Sequence, residues 1–161
     1  MNPLKNEIAK LIIVDLKKSL AGAERSRAEA IEEPKHHKGA MESRYDTFKE
    51  EAQYMMSAQE IRAAEFESHI IAVERMDLGD RARGSIGAII ETEETGKKDV
   101  RRKYFILPAG GGNTYEIEGQ IILTLNVKAP LAQKLIGSQV DDEVVVVISG
   151  KTRSFLVVSV C

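Results

Sequence analysis

Between Pro3 and Pro34 the chain has no other proline and a single glycine, Gly22, while apolar side chains recur in steps of three and four: Leu4, Ile8, Leu11, Ile12, Leu16, Leu20 and Ala23. That spacing lays one stripe along a helix and excludes a strand, whose faces alternate every second residue. Pro34 and Gly39 break the pattern, with Lys35-His36-His37-Lys38 between them. A second helical run is predicted to start near Ser43 to Thr47 and to reach about Arg75. In it Met56, Ala63 and Ile70 are heptad-spaced, as are Gln59, Phe66 and Val73. Interleaved, they form the a/d seam of a coiled coil. So narrow a seam needs a partner, and the short break makes the preceding helix the nearest one. The economical reading is an antiparallel hairpin. At about 1.5 Å per residue its arms form a rod some 40–45 Å long, with its tip at residues 34–46.

After Asp77-Leu78-Gly79-Asp80 the period changes. Gly84 to Thr92, Arg101 to Leu107, Gln120 to Val127, Val144 to Ile148 and Phe155 to Val160 read as strands. Ser149-Gly150-Lys151 marks a hairpin turn. One short helix runs from Pro130, at its first turn, to about Ile136, and Gly137 stops it. Residues 1–78 are therefore expected to form the hairpin and residues 79–161 a strand-rich domain with one helix on its sheet, an α+β chain.

Composition excludes several classes. The 161 residues are 30% charged and 43% hydrophobic, with net charge −2. Such a chain is not disordered in bulk and does not adhere to nucleic acid by charge alone. Cys161 is the only cysteine, so no disulfide within the chain or cysteine metal cluster can form. That fits a reducing, cytoplasmic setting. Leu11 to Val14 is too short for a membrane span, and no signal-peptide pattern precedes it. No nucleophile–base motif or cofactor loop marks a stand-alone enzyme.

Lys128-Ala129-Pro130-Leu131-Ala132-Gln133-Lys134-Leu135-Ile136-Gly137-Ser138-Gln139-Val140-Asp141-Asp142-Glu143-Val144 resembles the signature of the bacterial Gre-family transcription elongation factors. The family pattern is Ser-Pro-Leu, a short helix, Leu-Ile/Leu-Gly, then Val-Gly-Asp-Glu-Val. Met76 to Gly87 resembles the family's entry into its globular domain. The resemblance spans the chain, strongest over the last forty or so residues. It implies an N-terminal antiparallel coiled-coil hairpin followed by an FKBP-like antiparallel β domain with one short helix.

It also implies a function. Family members bind RNA polymerase and pass the hairpin tip into its secondary channel, where tip carboxylates help hold Mg²⁺ in the polymerase active site. The polymerase, not the factor, then cleaves backtracked RNA. At the matching place here stands Asp46-Thr47-Phe48-Lys49-Glu50-Glu51-Ala52-Gln53-Tyr54, which keeps Glu-x-Ala-x-Tyr but sets its aspartate one residue farther away and has Tyr45 for the family glycine. The tip carboxylates are then Asp46, Glu42, Glu50 and Glu51. Mg²⁺ takes oxygen ligands and keeps waters, so one or two mobile carboxylates suffice. The plain alternative for Glu50 and Glu51 is a solvated helix start favoured by the macrodipole. Lys35, Lys38 and Arg44, with Lys49, are set to contact RNA or DNA phosphate in the channel, and they weaken the tip's hold on a cation. The resemblance carries the polymerase-docking loop to Ala129, Pro130 and Leu131; Pro130 and Leu131 equally start and anchor a helix.

The expected partner is RNA polymerase, with nascent RNA or DNA met indirectly and neither a membrane nor a small-molecule substrate. No cofactor is expected beyond transient Mg²⁺. Two other readings stay open: a channel-binding inhibitor without cleavage activity, and a coiled-coil adaptor unrelated to polymerase. A zinc site at His36, His37, Glu42 and Asp46 is disfavoured, since adjacent loop histidines are usually solvated. His69 reads as packing or surface. Gly110-Gly111-Gly112 lacks the following helix of a phosphate cradle and reads as a flexible loop. With aromatics at 5% and no tryptophan, prolyl isomerisation is not expected, and fold alone would not license it.

Overall fold

The computed structural model describes residues 2–32, 42–97 and 100–161, with the side chains of all of these except 30–32, 42, 43 and 45. Two long helices come first, α1 (Pro3–Glu32) and α2 (Glu42–Glu74). A sheet domain follows, made of β1 (Ile89–Glu94), β2 (Arg101–Leu107), β3 (Thr114–Ile117), β4 (Gln120–Asn126), α3 (Pro130–Leu135), β5 (Glu143–Ile148) and β6 (Lys151–Val160). The chain is thus a helical hairpin followed by a six-stranded sheet with one short helix. It divides into two compact units, residues 13–71 and residues 1–12 with 72–161. The sequence had put the boundary at 78/79. The difference lies at the base of the helices, where the Lys5 amine donates to the Gly79 carbonyl at 2.8 Å and Asn2 caps α1 through the amide of Leu4.

In the 13–71 unit the heptad reading matches the burial. Along α2, Met56, Gln59, Ala63, Phe66 and Ile70 are shielded, with Ala52 and His69 beside them, while most residues between are exposed, Ile61 among them. On α1, Leu16, Leu20 and Ala23 are shielded likewise. Arg27 of α1 meets Glu60 of α2 at 2.9 Å, an exposed pair that accords with the antiparallel register.

The sheet order is β3-β4-β2-β1-β6-β5. A core cluster lies between one sheet face and α3. Ile90, Tyr104, Ile106, Val146, Phe155 and Val157 meet Leu131, Ala132 and Leu135 there. Ile89, Phe105, Leu107 and Ile122, at the alternate strand positions, are buried as well. An all-antiparallel sheet was expected, but β2 and β4 pair in parallel. The cause is β3, a strand the sequence reading missed. The chain leaves β2, loops out by one strand's width to form β3 on the edge, and returns as β4 into the gap. Two reversals restore the original direction. The glycine loop before β3 is fastened, not free: Gly112 N donates to Thr124 O at 2.9 Å, and Asn113 N to Thr124 Oγ1 at 3.0 Å.

The predicted strand at Gly84 begins only at Ile89. Gly84 holds the end of α3 instead, through its N to Ser138 O at 2.8 Å and Gly137 N to its own O at 2.7 Å. A Cβ on Gly84 would stand 1.9 Å from the Leu135 carbonyl oxygen, so only glycine admits this approach.

Candidate functional site

The start of α2 carries the acids the sequence singled out. Asp46 and Glu50 are one helical turn apart, about 6 Å along the axis, and share a line with the backbone position of Glu42. Glu51 is turned about 100° from Glu50. The side chains of Asp46, Glu50 and Glu51 are exposed, as are Arg44 and Lys49 within the same turns. The side chain of Glu42, and all of Lys35, His36, His37 and Lys38, lie outside the described residues, as does most of the proposed tip at 34–46.

Among the described residues no group of three or more His, Cys, Asp or Glu side chains is placed to hold a metal ion. Asp46 and Glu50 offer hard oxygen donors on one helix line. That donor set fits Mg²⁺ as two ligands of a shell whose remainder comes from elsewhere.

The 129–131 segment is split by its fold. Ala129 is the N-cap of α3, half-buried, with its amide donating to Asn126 O at 2.8 Å. Pro130 is exposed at the first turn, while Leu131 is buried in the core. The surface this loop offers is Ala129 and Pro130, and the Leu131 side chain anchors the helix from beneath.

Sequence reading missed a partly buried ion cluster. Glu94, at the end of β1, accepts from Arg153 Nε at 2.8 Å and Nη2 at 2.7 Å, and from Lys97 Nζ at 3.2 Å. The two-pronged bond to the Arg153 guanidinium is the main reason the Glu94 carboxyl falls from 4.5 to about 2. Glu94 in turn raises Arg153 above its ordinary value. Arg153 lies over the Phe155 ring, 5.2 Å from its centre. An open cleft of about 390 Å³ beside the cluster is lined by Glu93, Glu94, Thr95, Gly96, Lys97 and Leu156. Since Glu94 already has its cations, the cluster reads as a lock between β1 and β6. No local pattern marks it in the sequence, because Glu94 and Arg153 meet only through the β1–β6 register.

Among the described residues, Lys5 is the other charged residue that is buried. Desolvation lowers its pKa, partly offset by the negative charges of Cys161, Asp80 and Asp77. Among the described residues no helix is long and apolar enough to cross a membrane.

Three solved structures align with nearly the whole chain. The GreA factor homolog 1 protein of Thermus thermophilus is 15% identical, with 96% of this chain and 93% of that chain covered and a TM-score of 0.37. A structure described as the transcription factor Gfh1 is 16% identical, with 94% and 92% covered and a TM-score of 0.40. Thermus aquaticus Gfh1 is 17% identical, with 97% and 93% covered and a TM-score of 0.36. No family model and no curated protein matches the chain.

Proposed function

We propose that this protein regulates transcription elongation by binding RNA polymerase and passing the α1–α2 hairpin into the secondary channel toward the active centre. One observation carries the reading: a helix of 33 residues, about 50 Å long, presents exposed Asp46, Glu50 and Glu51 in its first turns. A carboxylate that acts inside another protein's active centre needs reach and exposure, and this end of α2 has both. The resemblance of Lys128–Val144 to the Gre-family signature supports the choice of partner. In this reading the protein has no active site of its own and works in the bacterial cytoplasm, where polymerase is. Asp46 and Glu50 add negative charge and oxygen donors to the polymerase centre. Mg²⁺ there stabilises the attacking and leaving oxygens of phosphodiester hydrolysis. Ala129 and Pro130 meet the rim of the channel.

A second reading is favoured by Arg44 and Lys49, exposed in the same turns as the acids. Cations there offset the carboxylates and suit a factor that occupies the channel without stimulating cleavage.

The test is a stalled, backtracked elongation complex followed by RNA length. Faster cleavage that Asp46→Ala reduces about 10-fold or more, as expected when a charge acting on a transition state is removed, supports the first reading. Saturable binding with cleavage unchanged or slowed supports the second. A chain that does not bind polymerase defeats both.

A further inference from the structure

The outward side of α2 carries a second heptad stripe that the hairpin does not use. Tyr54, Ser57, Ile61, Ala64, Ser68 and Ile71 follow one another in steps of three and four. Ile61 is two residues from Ala63 of the inner seam, about 200° around the helix, so the two seams lie on opposite sides. Tyr54 is 79% exposed, Ile61 62% and Ile71 47%. An ordinary solvent face of a two-helix arm is charged. This one has no charged residue at any of the six stripe positions over about 25 Å of helix.

The stripe's chemistry specifies its occupant. Large side chains at Tyr54, Ile61 and Ile71, spaced by small ones at Ser57, Ala64 and Ser68, make holes for the knobs of another helix and let its backbone come close. The flanking positions, which select a coiled-coil partner, hold Glu67 and Glu60, the latter already paired with Arg27 of α1, on one side and Glu65 with Ala58 on the other. From residue 50 to 74 the helix has six carboxylates, Glu50, Glu51, Glu60, Glu65, Glu67 and Glu74, and one guanidinium, Arg62. Pairing two copies of the stripe sets acid against acid in either orientation, which disfavours a second copy of this chain. We propose that the outer face of α2 is a docking site for an amphipathic helix whose apolar seam is flanked by lysine or arginine. This rests on the helix faces alone and does not depend on the polymerase reading.

The probe is a synthetic helical peptide of about three heptads, with leucine and alanine in its seam and lysine at its flanks, titrated against the full chain. A control peptide has glutamate at the flanks. The lysine peptide should bind saturably, more weakly as salt rises, and at least about 10-fold more tightly than the glutamate peptide. Ile61→Glu, a surface change, should weaken it about 10-fold or more, and Ile121→Glu, exposed on the sheet domain, should not. Glu65→Lys with Glu67→Lys should reverse the preference between peptides. Equal binding of both peptides, indifference to Ile61→Glu in a folded protein, or no binding of the lysine peptide would overturn the proposal. So would self-association of the chain that Ile61→Glu abolishes and the peptide fails to compete.

Discussion

At the scale of single residues, Glu94 has a measurable signature. Its folded pKa is depressed from 4.5 to about 2, chiefly by the Arg153 hydrogen bonds. The native state therefore binds fewer protons here than the unfolded chain in that window. The stabilisation is complete above about pH 4.5 and is lost as pH falls toward 2. Urea midpoints measured between pH 6 and pH 2.5 should fall more steeply for the wild type than for Glu94→Gln; parallel profiles would show that Arg153 does not hold the carboxylate. A second prediction concerns the β5–β6 turn. Ser149 and Gly150 both have positive φ, 52° and 74°, the type I′ geometry in which asparagine is favoured first. Ser149→Asn should raise stability by about 0.5 kcal/mol, read as a shift in urea midpoint with unchanged slope.

At the scale of elements, the helices and most strands were legible because each carries its own period. The inner seam of α2 could be read from Met56, Ala63 and Ile70 alone, since a helix reports its buried side every seven residues. β3 was not legible in that way. It has four residues and follows three glycines, although Tyr115 and Ile117 alternate with exposed Thr114 and Glu116 and Glu118-Gly119 supplies the turn. The parallel β2–β4 pair depends on where β3 goes, which local pattern does not encode. Ion clusters are invisible for the same reason: Glu94 and Arg153 are 59 positions apart and meet only through the β1–β6 register. The acids of α2 could be read as candidates, yet their setting depends on neighbours in three dimensions. Packing at the end of α3 gives a further prediction. Gly84→Ala would drive a methyl against the Leu135 carbonyl, and relief requires moving backbone. A loss of about 2–3 kcal/mol is expected, measured by chemical denaturation, with Gly22→Ala, where nothing lies within 4 Å of the added Cβ, as the neutral or stabilising comparison.

At the scale of the whole molecule, each of the two units has its own proposed task. In the proposed reading the 13–71 unit supplies reach and the acids at the start of α2, and the sheet domain supplies the Ala129–Pro130 turn, whose exposed Pro130 would meet a partner's surface. The central claim is that the start of α2 enters the polymerase secondary channel, and position 46 tests it most directly. In a Cys161→Ser background, Asp46→Cys carrying a short photo-crosslinker is bound to a backtracked elongation complex, irradiated, and its attachment sites mapped. Adducts are expected to polymerase segments around the active centre or to the RNA 3′ end, absent when the same probe sits at Ile121→Cys on the sheet domain. Adducts confined to the outer surface of polymerase, or no adduct under conditions where the protein is bound, would contradict it.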